Sequence, residues 1–186
     1  MTGTMKTRGR LIAVVGPSGV GKDSVMRGIV RCLPRMHLVR RVITRAPDLG
    51  GEEYDAVSVP QFLDMVEYGA FAVHWRAHGL WYGIPQTVRC QLSEGTDCLA
   101  NFSRKALQAG AEIFPDFAVL NVTAKPETLA LRLAGRGRES EAEIAKRLAK
   151  ADTPLPDGLY VMHVCNDGPL ETTIARAVSM LRPVSA

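Results

Sequence analysis

Short apolar runs alternate with amphipathic stretches along much of the chain. Leu11–Val15 contains no polar residue and ends at a glycine, which is typical of a buried parallel strand. In the next segment, about 24–33, apolar residues recur at helical spacing and a proline follows directly. The second half repeats the pattern, with strands predicted at 117–122 and 160–165 and helices at 126–134, about 140–150 and 169–181. This alternation predicts an α/β fold, a parallel sheet flanked by helices.

The stretch at about 40–88 does not follow this alternation of strands and helices. It is rich in glycine, arginine, histidine and aromatic residues, and its helical pattern is confined to about 60–68. We interpret it as an inserted substrate-binding lobe within a single domain that spans residues 1–186.

Composition and charge exclude several classes of protein. With 186 residues, of which 46% are hydrophobic and 23% charged, the chain suits one ordered globular domain. A net charge of +4 is too small to require nucleic acid, and arginines around a small polyanion would explain it equally well. No apolar run approaches the roughly 20 residues of a membrane span, and the cysteines form no C-x-x-C pair. We therefore expect a cytoplasmic protein with small-molecule partners and neither nucleic acid nor a membrane; the oligomeric state stays open.

The sequence "GPSGVGKDS" carries the clearest chemical signal. A P-loop reads G-x-x-x-x-G-K-[ST], and its backbone N–H groups converge on phosphate oxygens at a helix N-terminus. The expected strand precedes the loop and the expected helix follows it, which disfavours a glycine-rich turn without a ligand. Lys22 is expected to reach the β- and γ-phosphates. The remaining loop residues predicted to bind the nucleotide are Gly16, Pro17, Ser18, Gly19, Val20 and Gly21.

One position of the loop departs from the motif. Asp23 stands where a serine or threonine hydroxyl usually helps to hold magnesium. A carboxylate is a good Mg²⁺ ligand but repels a triphosphate unless a cation lies between them. Asp23 is therefore a predicted metal ligand, and Ser24 is the alternative that the sequence leaves open.

Four segments together resemble the guanylate-kinase fold family, over nearly the whole chain from Arg10 onward. They are "GPSGVGKDS", "ITRAPDLGGEEYDAVS", "GAFAVHWRAHGLWYGIP" and "LRLAGRGRESEAEIAKRL". The resemblance implies a P-loop kinase that uses ATP and Mg²⁺.

The family's site residues can be carried over to matching positions. By resemblance, the acceptor phosphate is held by Arg45, Tyr82 and Gly83. A lid at about 135–150 would close over ATP, and its implied residues are Arg136, Arg138 and Arg147. With Lys22, Arg136 and Arg147 are the expected catalytic residues. Asn166 matches an asparagine near the adenine.

Other positions differ from guanylate kinases. Ala72 and Val73 stand where that family has Leu-Glu, whose glutamate recognises guanine, and Asp48 replaces a second phosphate-binding arginine. The aspartate-rich "DIDWQG" strand is replaced by "LANFSRKA". A site without the guanine-reading carboxylate has no evident reason to bind GMP.

With these departures, the chain resembles one branch of the family, the ribose 1,5-bisphosphate phosphokinases of bacterial phosphonate degradation. The resemblance implies transfer of the γ-phosphoryl group of ATP to ribose 1,5-bisphosphate, which gives 5-phospho-D-ribosyl 1-diphosphate and ADP. A phosphate nucleophile is already anionic near neutral pH and needs alignment and cations rather than a base. The further candidates for contacting this acceptor are Arg41, Arg76, His78 and Arg104. The alternatives are a nucleoside-monophosphate kinase and a non-catalytic guanylate-kinase-like interaction module.

Overall fold

The computed structural model describes residues 8–46, 52–135 and 154–182, together with Ala145 and Ala149. The helices and strands of this part, in chain order, are β1 Leu11–Val15, α1 Lys22–Cys32, β2 His37–Leu38, β3 Arg41–Ile43, β4 Tyr54–Ala56, α2 Val59–Glu67, β5 Phe71–Ala77, β6 Leu80–Pro85, α3 Val88–Ser93, β7 Cys98–Asn101, α4 Leu107–Ile113, β8 Phe117–Thr123, α5 Pro126–Ala134, β9 Val161–Cys165 and α6 Leu170–Leu181.

A parallel sheet forms the centre of the molecule. Its strand order is β2-β7-β1-β8-β9, and all of its pairs are parallel. Each residue of β1 is at most 1% exposed, because apolar clusters cover both faces of the sheet. The predicted α/β fold with a helix-covered parallel sheet is confirmed.

The first helix follows from its sequence. Val25, Met26 and Ile29 lie on its buried face, as the helical spacing predicts. It begins at Lys22, two residues earlier than the apolar pattern indicates, because Gly21 takes a left-handed conformation (φ 89°) that turns the chain into the helix. The helix packs against α6 and ends before Pro34.

A second sheet, ordered β4-β3-β6-β5, lies within the stretch that breaks the α/β rhythm. The hairpin between β5 and β6 turns at His78 and Gly79, which both have positive φ angles (52° and 76°), as a tight two-residue turn requires. Trp75 pairs with Tyr82 across this hairpin. Their rings stack 5.6 Å apart on the face that packs toward the main core.

Of the helix predicted at about 140–150, only Ala145 and Ala149 are described, and both are helical; the rest of it and most of the predicted lid lie outside the described residues. Asp48 does too. Among the helices that are described, none has the length and apolar character to cross a membrane.

Candidate active site

The P-loop joins the carboxyl end of β1 to α1, the place where open parallel sheets bind phosphates. Lys22 lies across this loop, with its ammonium donating to the carbonyls of Gly16 (2.9 Å) and Pro17 (3.2 Å). Burial lowers the pKa of Lys22 to about 8, a shift that the charges of Arg41 and Arg104 reinforce and those of Asp23 and Glu52 oppose. An anionic ligand would therefore stabilise the charged form of Lys22.

Asn166 also contacts the P-loop. It is 3% exposed and comes directly after β9. Its amide donates to the carbonyl of Val20 (2.7 Å) and accepts from the hydroxyl of Thr173 (2.9 Å). A Cβ at Gly21 would lie 2.9 Å from the same amide nitrogen. The resemblance places this asparagine near adenine, whereas its observed contacts are to the P-loop backbone and to α6.

Asp23 lies in the first turn of α1, where a carboxylate suits the helix dipole. Its pKa is raised, mainly by burial and also by the nearby charge of Glu52, while Lys22 and Arg41 lower it. Ser24 borders a groove between α1 and α6. Of the two predicted metal ligands, Asp23 is thus the one that shares the surroundings of Lys22.

Arg41 is 6% exposed and its guanidinium pairs with Glu52 through two N–H groups, Nε at 2.7 Å and Nη2. The side-chain amide of Asn101 donates to the same Glu52 carboxylate at 2.9 Å. The guanidinium carbon also lies 5.0 Å from the ring centre of Tyr82. The predicted substrate contact Arg41 is therefore engaged inside the protein.

Glu52 is the site residue that sequence reasoning missed. It follows a glycine-rich segment, and its partners Arg41 and Asn101 are 11 and 49 residues away. No local pattern signals such a contact. A hint lies in "LANFSRKA", where an asparagine that can donate to a carboxylate stands in a segment without acids.

Arg45 and Tyr82 lie together on the acceptor side. The guanidinium of Arg45 stacks 4.6 Å above the ring of Tyr54, whose hydroxyl donates to the Ala46 carbonyl at 2.5 Å. The Nε of Arg45 is buried and has no hydrogen-bond partner within the described ranges. Burial raises the pKa of Tyr82, and the charges of both Arg41 and Arg45 counteract the shift.

Three other predicted contacts occupy different surroundings. Arg76 stacks on Trp81 at 5.8 Å, and strand alternation puts both on the sheet face opposite Tyr82. His78 is exposed at the hairpin turn. Gly83 is required by packing, because a Cβ there would lie 2.4 Å from the ring of Phe71. Arg76 and His78 therefore do not lie with Arg45 and Tyr82, whereas Gly83 directly follows Tyr82 on β6.

The last predicted side chains fall into two groups. Arg104 begins a short helical turn after β7, close enough for its charge to lower the pKa of Lys22. Arg136, Arg138 and Arg147 lie outside the described residues. Within the part of the chain that is described, no three His, Cys, Asp or Glu side chains are grouped as a metal site. A magnesium ion at Asp23 would then need oxygen ligands from the bound phosphates or water, as Mg²⁺ commonly has.

Comparison with known proteins assigns the chain to a family. A family model described as guanylate kinase matches residues 8–182. A protein of Ruegeria sp. (strain TM1040) named ribose 1,5-bisphosphate phosphokinase PhnN is 52% identical over 181 residues, 96% of this chain and 95% of that protein. A protein of the same name from Agrobacterium fabrum (strain C58) is 44% identical over 164 residues, 87% of this chain and 90% of that protein.

A solved structure agrees with the fold. The crystal structure of guanylate kinase from Anaplasma phagocytophilum has a TM-score of 0.66 at 20% identity, and the match covers 95% of this chain and 86% of that one. The chain therefore belongs to the guanylate kinase family, in which it groups with proteins named ribose 1,5-bisphosphate phosphokinase PhnN.

Proposed function

We propose that this chain is an ATP-dependent kinase that transfers the γ-phosphoryl group to the 1-phosphate of ribose 1,5-bisphosphate, giving 5-phospho-D-ribosyl 1-diphosphate and ADP. The names of its relatives support this substrate. The observation that supports it most directly is the burial of Val73, which stands where guanylate kinases have the glutamate that recognises guanine. Val73 is only 4% exposed and belongs to the main apolar core, so neither a carboxylate nor a free polar group is available there for a base.

The charges of the site suit a polyanionic acceptor. Its described cations are Lys22, Arg41, Arg45 and Arg104, against the two carboxylates Asp23 and Glu52. Among the described residues the buried Nε of Arg45 has no hydrogen-bond partner, and the charge of Arg45 acts on the Tyr82 phenol. A phosphate next to these two groups would accept a charge-assisted hydrogen bond from the Arg45 guanidinium, and bonds of this kind are among the stronger ones.

The chain's residues can align the reaction without a general base. The acceptor phosphate is already an anionic nucleophile, so the protein must hold it in line with the γ-phosphate and offset negative charge. In this proposal Lys22 binds the β- and γ-phosphates and the P-loop N–H groups fix the triphosphate. Asp23 fits as a magnesium ligand because its charged form is disfavoured by burial and by Glu52, and a cation would reverse that. Held at Asp23, magnesium would supply charge neutralisation for the triphosphate.

The remaining assignments are part of the same proposal. Residues 1–186 would act as one kinase domain in which about 40–88 bind the acceptor and about 135–150 close over ATP. Arg136 and Arg147 would stabilise the transferring group, with Arg138 on the ATP phosphates. The reaction would take place in the cytoplasm.

Phosphorus NMR tests the substrate directly. ATP and Mg²⁺ are incubated with the protein and ribose 1,5-bisphosphate, GMP or ribose 5-phosphate, each offered separately. We expect a diphosphate signal only with ribose 1,5-bisphosphate, because GMP finds no base partner and ribose 5-phosphate lacks the anionic nucleophile at C1. Specificity constants at one magnesium concentration rank the three. GMP as the best acceptor would replace this proposal with a nucleoside-monophosphate kinase.

A further inference from the structure

Glu52 connects the two sheets at the centre of the site. Its carboxylate accepts from Arg41 on β3 of the second sheet and from Asn101 on β7 of the main sheet. Asn101 pairs in register with Val14 on β1, one residue before the strand end that leads into the P-loop. One carboxylate thus joins the acceptor-side sheet to the strand beside the nucleotide loop.

The network continues from Arg41 to the acceptor side. Its guanidinium lies 5.0 Å from the ring centre of Tyr82 and 5.9 Å from that of Trp75. Glu52 holds the Nε–Nη2 edge of this guanidinium, and this two-point contact fixes its plane. The plane of Arg41 in turn limits the position of the Tyr82 ring, which Trp75 supports on a stacked contact.

Stability alone does not account for this arrangement. The side chains of Arg41 and Glu52 are 7% and 12% exposed, and a buried ion pair is often no more stabilising than apolar residues of similar volume. Its position is more informative, because its charges act on Lys22 and Asp23 on one side and on Tyr82 on the other.

We propose that Glu52 is a positioning residue for phosphoryl transfer. Through Arg41 it fixes Tyr82, and through Asn101 it fixes Arg41 and Tyr82 relative to the P-loop. This inference rests on the proposed function, since Tyr82 matters only if it meets the acceptor phosphate. A shift of the acceptor by about 1 Å relative to the donor is enough to reduce the rate by about 10²-fold.

Steady-state kinetics of Glu52→Gln with both substrates tests the proposal. At a pH well below the pKa of Lys22, where its ammonium stays charged without Glu52, we expect kcat/KM for the acceptor to fall by about 10²-fold while KM for ATP changes little, because the P-loop contacts are kept. Glu52→Asp, which retains the charge, should recover part of the loss. Asp55→Asn is the matched control: it breaks the exposed Arg40–Asp55 pair on the same sheet and should behave like the parent.

Coupling to Tyr82 distinguishes positioning from a merely structural role. Tyr82→Phe keeps the ring and removes the hydroxyl. If Glu52 acts through Tyr82, Glu52→Gln should lose most of its effect in the Tyr82→Phe background. Additive effects, or an equal rise in KM for ATP, would overturn the inference.

Two further variants keep the test decisive if Glu52→Gln does not fold. Asn101→Ala removes only the link to the main sheet, and Arg41→Met with Glu52→Gln removes both buried charges together. Each should lower acceptor kcat/KM selectively, and parent-like acceptor kinetics in a folded variant of either kind would refute positioning. The proposed function fails separately, if the parent itself transfers no phosphoryl group to ribose 1,5-bisphosphate.

Discussion

Replacement of Asn166 by alanine should weaken the P-loop rather than the recognition of adenine. The variant removes a 2.7 Å bond to the Val20 carbonyl and a 2.9 Å bond from Thr173, both at buried positions. Such hydrogen bonds contribute about 0.5–1.5 kcal/mol each, so the free energy of unfolding should fall by about 1–3 kcal/mol. If about 1 kcal/mol of this orders the loop, affinity for the triphosphate should fall by about fivefold.

A ligand that lacks the nucleobase distinguishes the two possible roles of Asn166, which are ordering of the P-loop and contact with adenine. Titration calorimetry at constant magnesium would compare ATP with inorganic tripolyphosphate. Loss of loop order should weaken both ligands by the same factor, whereas loss of an adenine contact should weaken ATP alone.

Thr173→Val supplies independent evidence, because this side chain acts on Asn166 from α6. It should reproduce the weakened binding of both ligands, and Thr172→Val, at the exposed neighbouring position, should not. Normal binding in Thr173→Val, combined with a loss confined to ATP in Asn166→Ala, would refute the reasoning and restore the adenine contact.

Two predictions concern the start of α1. Asp23→Ala should raise the magnesium concentration that gives half-maximal rate, and Asp23→Ser should recover part of the loss; an unchanged magnesium titration in both would transfer the metal role to Ser24. The lowered pKa of Lys22, about 8, predicts that kcat/KM for ATP falls as pH rises through that value, because the free enzyme then loses the cation. Bound phosphates favour charged Lys22, so kcat should stay level over the same range, and a parallel fall of kcat would contradict this explanation.

The sequence predicts the elements whose signals are local. The P-loop is recognisable because a buried strand, a glycine loop and an amphipathic helix follow one another within the first part of the chain. The same holds for α5, whose predicted bounds at 126–134 agree with the structure, since a proline marks its start. These features depend on contacts between near neighbours in sequence.

Long-range pairing explains what the sequence does not reveal. The Asn166 amide meets a carbonyl 146 residues away, and Glu52 meets Asn101 49 residues away. Strand β3 pairs in parallel with β4 and antiparallel with β6, an arrangement that no periodicity in short strands can specify. An arginine count in this stretch therefore could not tell Arg41, which is buried and paired, from Arg45, whose Nε has no partner among the described residues.

The burial of Val73 and the pairing of Glu52 both bear on which acceptor this site suits. By resemblance, position 73 is where the family's nucleotide kinases recognise guanine, and in this chain Val73 belongs to the hydrophobic core. A carboxylate nevertheless remains in the site, but both of its oxygens accept bonds from protein donors. Its charge is then directed at Arg41 rather than at a ligand, so it does not repel a doubly phosphorylated sugar as an unpaired acid would. The preference for such an acceptor would thus depend on how the charges of this site are paired as well as on how many charges there are.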